Sequence, residues 1–409
     1  MPSAQNPRPM NTPELSSSRD KPRPLDRIPA SAILDAEVAR RFIADPASVK
    51  LSDFNELQAD AAEILAAHER RHRANGIYDF LIDPGNVRHE GDLLSLDGLT
   101  SLSVDAARAL AGHEGWLHLN GLSCLDCDVA KALAGHVGTL TLNGLISISV
   151  DVARALAQVG HEGLGWLLLD GLTSLSVDVA NALAGHRGWL SLGGLTSLSV
   201  DAAVALAEHD GWLSFGSLTS LDVDVAKALA KHEGERLCFD GLTSMNAEVA
   251  AVLAGREGSL SLDGLPGLTV EVAKILAEHQ GEELCLNGLT SVSAGVASAL
   301  AGHKGNKIAL CSLTDISVEV ANALAGHMGT LHLIGLTSLS VEVAEALAWH
   351  RGTLSLNGLT DISVEVAETL AGQEGGGIIH LYGLTYISVE VEAALSRNKK
   401  ISLPYRSKR

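Results

Sequence analysis

The sequence predicts an α/β solenoid: a right-handed coil with one short parallel strand and one short helix per turn. Three observations predict it. A unit near 23 residues recurs thirteen times, each unit switches from a period of two to a helical period, and each carries a helix-capping residue at one fixed place. The Leu of a Gly-Leu-Thr-like triplet stands at 99, 122, 145, 172, 195, 218, 242, 265, 289, 313, 336, 359 and 384. Self-similarity at such a period marks a stacked-repeat architecture, in which one unit cannot bury its own apolar stripe and neighbours do it for each other.

Taking that Leu as position 0, apolar residues at −5 and −3 alternate with variable ones at −6, −4 and −2, as around Leu190-Ser191-Leu192. Period two is a strand. Position +4 is Ser in nine units (Ser103 and Ser199 among them), Asp at 126 and 222, Asn246, and Thr269. All are helix N-cap types, whose side-chain oxygen satisfies an orphan backbone N–H. An acid follows at +6 in every unit but that of Gly295, favoured by the positive end of the helix dipole. Apolar or small residues at +7, +8, +11 and +12, such as Val179, Ala180, Leu183 and Ala184, form one helical stripe. Parallel strands joined through helices require a right-handed crossover.

The repeated pattern L-x-L-x-G-L-x-x-L-S-x-[DE]-V-A-x-A-L-A-x-H resembles leucine-rich repeats, in particular the short Ala-rich variants of planctomycetes and related bacteria. The likeness covers about residues 34–403 and implies a bacterial binding scaffold with the strand face as its docking surface. One departure is the turn, where Leu and Thr replace the asparagine ladder usual in such repeats.

The ends divide the chain into a disordered leader (1–30), an N-terminal cap with degenerate repeats (31–92), the regular array (93–395), and a capping strand with a basic tail (396–409). Residues 49–68 are a worn copy with Phe54 at position 0, and 69–91 read as an intermediate copy before Leu99. The net charge is −19; the leader and tail are basic and leave the chain between them at −27. Such a body repels phosphate backbones and anionic membranes, so the expected partner is a neutral to basic protein or peptide, not nucleic acid or a membrane. No apolar run spans a bilayer, and five scattered cysteines suit a reducing, cytoplasmic setting.

Four features invite a chemical reading. His recurs at +14 (113, 136, 186, 209, 232, 279, 303, 327 and 350), with His161 admitted by a four-residue insertion and Arg256 and Gln373 as substitutions. A residue needed this often is expected to hold helix ends rather than a metal or proton relay. HERRH (68–72) matches the H-E-x-x-H of zinc hydrolases, the alternative function, but His68 is already the +14 residue of the worn copy. Cys124 and Cys127 form a lone CxxC, and no phosphate-cradling motif occurs, so no cofactor and no metal is expected. Finally, Trp116, Trp166, Trp189 and Trp212 all stand at −6, where other units carry Leu, Thr, Arg, Ser, Glu, Lys or Ile. The framework does not demand Trp there. With Ser191 and Ser214 beside them, these residues make the expected binding patch of a non-enzymatic scaffold, the structural alternative being a purely adhesive array.

Overall fold

The structure, a computed structural model, describes residues 32–68, 93–160, 165–373, 375–385 and 387–404. Fourteen strands, from β3 (Leu93–Ser95) to β16 (Ile401–Ser402), form one parallel sheet in strict sequence order, with a helix between each consecutive pair. Registers match unit to unit: Leu167 pairs with Leu190, and Leu190 with Leu213. Leu190, Leu192, Leu195 and Leu206 are fully buried, so positions −5, −3, 0 and +11 of successive units make one continuous apolar column between sheet and helices. Two units place Phe215 and Phe239 at −3, and these rings stack 5.7 Å apart.

The capping prediction holds at every regular unit. The thirteen helices of the array, α3 (Val104–Leu110) to α15 (Val389–Leu395), each start after their +4 residue. Its side chain accepts a bond from a first-turn backbone N–H, as Ser199 does from Ala202 and Asp222 from Asp224. Most of these helices are only seven residues long. Segments this short do not persist alone, so the cap and the packing of the neighbours fix them.

Glycine at −1 is a matter of clearance. A Cβ on Gly194 would collide with the carbonyl of Asp170, and one on Gly121 with that of Asp97. At these two glycines the preceding coil passes too close for a side chain.

Three sequence expectations are corrected. The asparagine ladder is present, displaced to position −2. Asn120 N–H donates to Asp97 Oδ1 (2.9 Å), Asn143 N–H to Asn120 Oδ1 (2.9 Å), Asp170 N–H to Asn143 Oδ1 (3.0 Å) and Gly193 N–H to Asp170 Oδ1 (2.7 Å). It resumes from Asp240 through Asp263 and Asn287 to Cys311. A short acceptor reaching one coil onward satisfies a turn N–H wherever the geometry permits, and here −2 permits it.

The second correction concerns the N-terminal copies. The Phe54 coil packs directly on the Leu99 coil: Thr100 N–H donates to the Asn55 carbonyl (3.0 Å), and a Cβ on Gly98 would meet the carbonyls of Ser52 and Phe54. The intermediate copy expected over 69–91 lies outside the described residues; among the described residues the Phe54 and Leu99 coils are direct neighbours. In the N-terminal copies 3-10 turns at Pro46–Ser48 and Leu51–Asp53 stand where the strand is expected, and the strand of the worn copy, β2 (Glu56–Leu57), follows Phe54 and pairs in parallel with β1 (Ile33–Leu34).

Third, the +14 slot given to His161 is filled by Val159, which is buried and donates its N–H to Leu156 as each ladder His does to its own helix. His161 itself lies outside the described residues.

Candidate binding site

The +14 histidines are core. Nine imidazoles, at 113, 136, 186, 209, 232, 279, 303, 327 and 350, are at most 6% exposed. They stack ring on ring at 5.6–6.4 Å in three runs, 113–136, 186–209–232 and 279–303–327–350. At His113, His136, His209, His279 and His350 the ring bonds a strand-start carbonyl rather than the last turn of its own helix. His209 Nε2–H donates toward Gly188 O (3.1 Å) and Trp212 O (3.2 Å), and His136 toward Thr139 O (3.2 Å). Burial pushes the pKa of His136, His186, His279, His303 and His327 down to about 4, so these rings are neutral at pH 7. Arg256 takes the ladder slot between His232 and His279 and donates to the carbonyls of Ser259, His232 and Gly234.

The tryptophans stand on the opposite, outward face of the sheet. Trp116, Trp166, Trp189 and Trp212 are all half-buried, and their strands carry them in register. Ring centroids lie 5.6 Å apart for Trp116 and Trp166, 4.8 Å for Trp166 and Trp189, and 5.9 Å for Trp189 and Trp212, inclined at 52–70°. Edge-to-face contact is the arrangement indoles favour. Trp116 joins the row across the intervening unit, whose −6 residue is the smaller Thr139. The four thus make one unbroken aromatic row.

The far end of the row is charged. Arg236 holds its guanidinium 5.0 Å over the Trp212 ring, and Trp212 Nε1–H donates to Glu235 (3.0 Å). Glu283 pairs with both Arg236 and Lys307, the latter at 2.7 Å. Sequence reasoning missed this cation–π contact and its ion pairs, although Arg236, Glu283 and Lys307 all occupy −6, the same position as the tryptophans.

Ser191 and Ser214, at −4, are 7% and 8% exposed, and the Ser191 hydroxyl donates to Asp170. The structure therefore places both under the row rather than on it. The fifth Trp, Trp349, lies away from the row at a helix end and is 60% exposed. Cys124 is exposed, Cys127 opens its helix, and all five cysteines are free thiols. Cys238 and Cys285 are buried, which lifts their thiols to about 12. Within HERRH, His68 is the last residue of helix α2 (Ala59–His68) and residues 69–72 lie outside the described residues. Among the described residues no cluster of His, Cys, Asp or Glu is placed to hold a metal, and no helix is long and apolar enough to cross a membrane.

Fourteen parallel strands with inward Leu columns, one short helix per coil and a side-chain ladder at the turn settle the architecture. The chain is a leucine-rich-repeat-like solenoid. No family model and no curated protein matches its sequence. Among solved structures, the solenoid is similar to the leucine-rich-repeat-containing protein LegL7 of Legionella pneumophila: 16% identity, TM-score 0.44, covering 64% of this chain and 89% of that one. It is also similar to a chain of the yeast Rad7–Elc1 complex: 15% identity, TM-score 0.39, with coverage of 90% and 91%. A third likeness, to the Drosophila Toll–Spatzle complex, has 12% identity and a TM-score of 0.38, and spans 71% of this chain but 40% of that one.

Proposed function

We propose that this solenoid is a non-enzymatic scaffold that binds a neutral-to-basic protein or peptide segment on its strand face, along Trp116, Trp166, Trp189 and Trp212. The observation that carries the reading is the unbroken row of four half-buried indoles at a position the framework leaves free. Large aromatic surface at the centre of a patch is what dominates binding energy in protein interfaces, and it comes with little side-chain entropy to lose. The charge of −27 between leader and tail supports a basic partner. The five free thiols support a cytoplasmic setting.

Selecting peptides from a random displayed library against the wild-type chain tests it. Selected peptides are expected to be Lys/Arg- or aromatic-bearing and to bind the Trp189→Ala/Trp212→Ala variant at least tenfold more weakly. Selected binders that ignore the double variant would overturn the assignment of the row.

A further inference from the structure

The aromatic row has a fitting occupant within the same chain. We propose that residues 6–25 dock on the Trp116–Trp212 row in cis; the proposal rests on the reading of that row as a binding surface.

The chemistry of the row is displayed at its own end. The Arg236 guanidinium lies over the Trp212 ring while Glu235 holds the indole N–H, so this face already receives one arginine by a cation–π contact beside a carboxylate. The neighbouring indoles, Trp166 and Trp189, offer half-buried rings of the same kind. A ligand matched to them alternates guanidinium groups with flat apolar rings.

Residues 6–10 read NPRPM and residues 21–25 read KPRPL, two copies of Pro-Arg-Pro followed by a large apolar residue. Proline rings lie flat on aromatic surfaces, and an extended Pro-rich segment loses little entropy on binding. Arginine between them stacks on indole as Arg236 does. The first 31 residues carry five basic and three acidic groups, opposite in sign to the body they would meet.

Reach agrees with sequence. Ala32 donates its N–H to Asn55 Oδ1 (3.0 Å), and the Asn55 carbonyl receives Thr100 N–H of the first regular coil. Ala32 lies one coil before Asn55, so the chain enters the fold three coils before the strand of Trp116 (Trp116–His118) and seven before that of Trp212. At about 4.8 Å per strand these are offsets of about 14 and 34 Å. Arg23 precedes Ala32 by nine residues and Arg8 by 24, spans of about 28 and 74 Å at the 3.1 Å rise of an extended Pro-rich chain. The basic tail is the other cationic segment. It follows β16, eight strands from the strand of Trp212 (Leu213–Ser214), about 38 Å away.

The test compares full-length wild type with a full-length variant carrying Ala at Pro7, Arg8, Pro9, Pro22, Arg23 and Pro24, read by acrylamide quenching of tryptophan fluorescence. Trp349 contributes equally to both. The variant is expected to quench at least twofold more readily, and a synthetic peptide of residues 5–26 is expected to restore protection. That restoration should fail when Trp189→Ala/Trp212→Ala is added. Equal quenching with no response to the peptide would overturn the docking; library peptides that still need the tryptophans would show the row itself to be sound. Protection that appears only at high protein concentration would also overturn docking in cis, assigning the segment to a second copy.

Discussion

The Nε2–H of His209 donates to the carbonyl of Trp212 at 3.2 Å, so the buried ladder and the aromatic row meet at one peptide unit. His113 stands in the same relation to Trp116, with its Nε2 3.2 Å from that carbonyl. In these units the ladder fixes where the strand begins, and the strand start is where the indoles stand. Replacing His209 by Phe keeps a stacked ring but removes the imidazole donor from the Gly188 carbonyl, while the Trp212 carbonyl keeps the N–H of Leu190 (2.8 Å). The expected loss is about 1–3 kcal/mol. His186→Ala, which also opens a cavity, is expected to cost about 2–4 kcal/mol without reducing peptide capture. Urea denaturation midpoints check both.

The pH dependence has a definite sign. Burial lowers the folded-state pKa of His136, His186, His279, His303 and His327 to about 4, against an ordinary value near 6.5 in the unfolded chain. Between pH 6.5 and 4 the unfolded chain therefore binds more protons than the folded one. Stability is fully present above pH 6.5 and is lost as pH falls through that window. Melting temperature measured against pH should drop there with a slope of several protons. A slope of one proton or less would contradict the buried neutral ladder.

Arg256 interrupts the ladder with a buried charge. It lies 3.2 Å from the His232 carbonyl and 2.9 Å from that of Gly234, and it helps push His232 down to about 3, second to burial itself. Arg256→Ala leaves those carbonyls unsatisfied in the interior and is expected to destabilise by about 2–4 kcal/mol. Arg256→His rebuilds the ladder and is expected to lose less at pH 7, but, as one more buried neutral imidazole, to lose more of its remaining stability by pH 5. Circular dichroism melts at pH 7 and pH 5 separate the two variants.

The displaced ladder predicts a cost where sequence comparison with ordinary leucine-rich repeats predicts none. Asn287 Oδ1 accepts from Cys311 N–H (2.9 Å) while its Nδ2–H donates to Asp263 (3.0 Å). Asn287→Leu is expected to destabilise by about 2 kcal/mol, with faster amide exchange at Cys311 seen by hydrogen–deuterium exchange.

Legibility followed periodicity. Leu192, Ser199 and Ala203 announce strand, cap and helix stripe because each answers a local demand repeated in every coil. The aspartates and asparagines at −2 were equally visible, but their partner is a backbone N–H one coil onward, and no residue pattern names a backbone atom. Asn55 and Thr100 show the same limit: 45 residues apart, they are hydrogen-bonded neighbours, because chain length between two coils does not reveal whether a third lies between them.

By itself the sequence determined the repeat, its strand and helix, the caps and the buried columns, since these depend on spacing within 23 residues and on burial shared by adjacent copies. Only the tertiary structure decided what the copies do to one another. It stacked nine imidazoles into a neutral interior ladder, put Val159 in a slot meant for His161, and drew Trp116 over Thr139 to meet Trp166 at 5.6 Å. Those outcomes depend on the register between coils, which is set by sheet hydrogen bonds and close glycine contacts across the whole array.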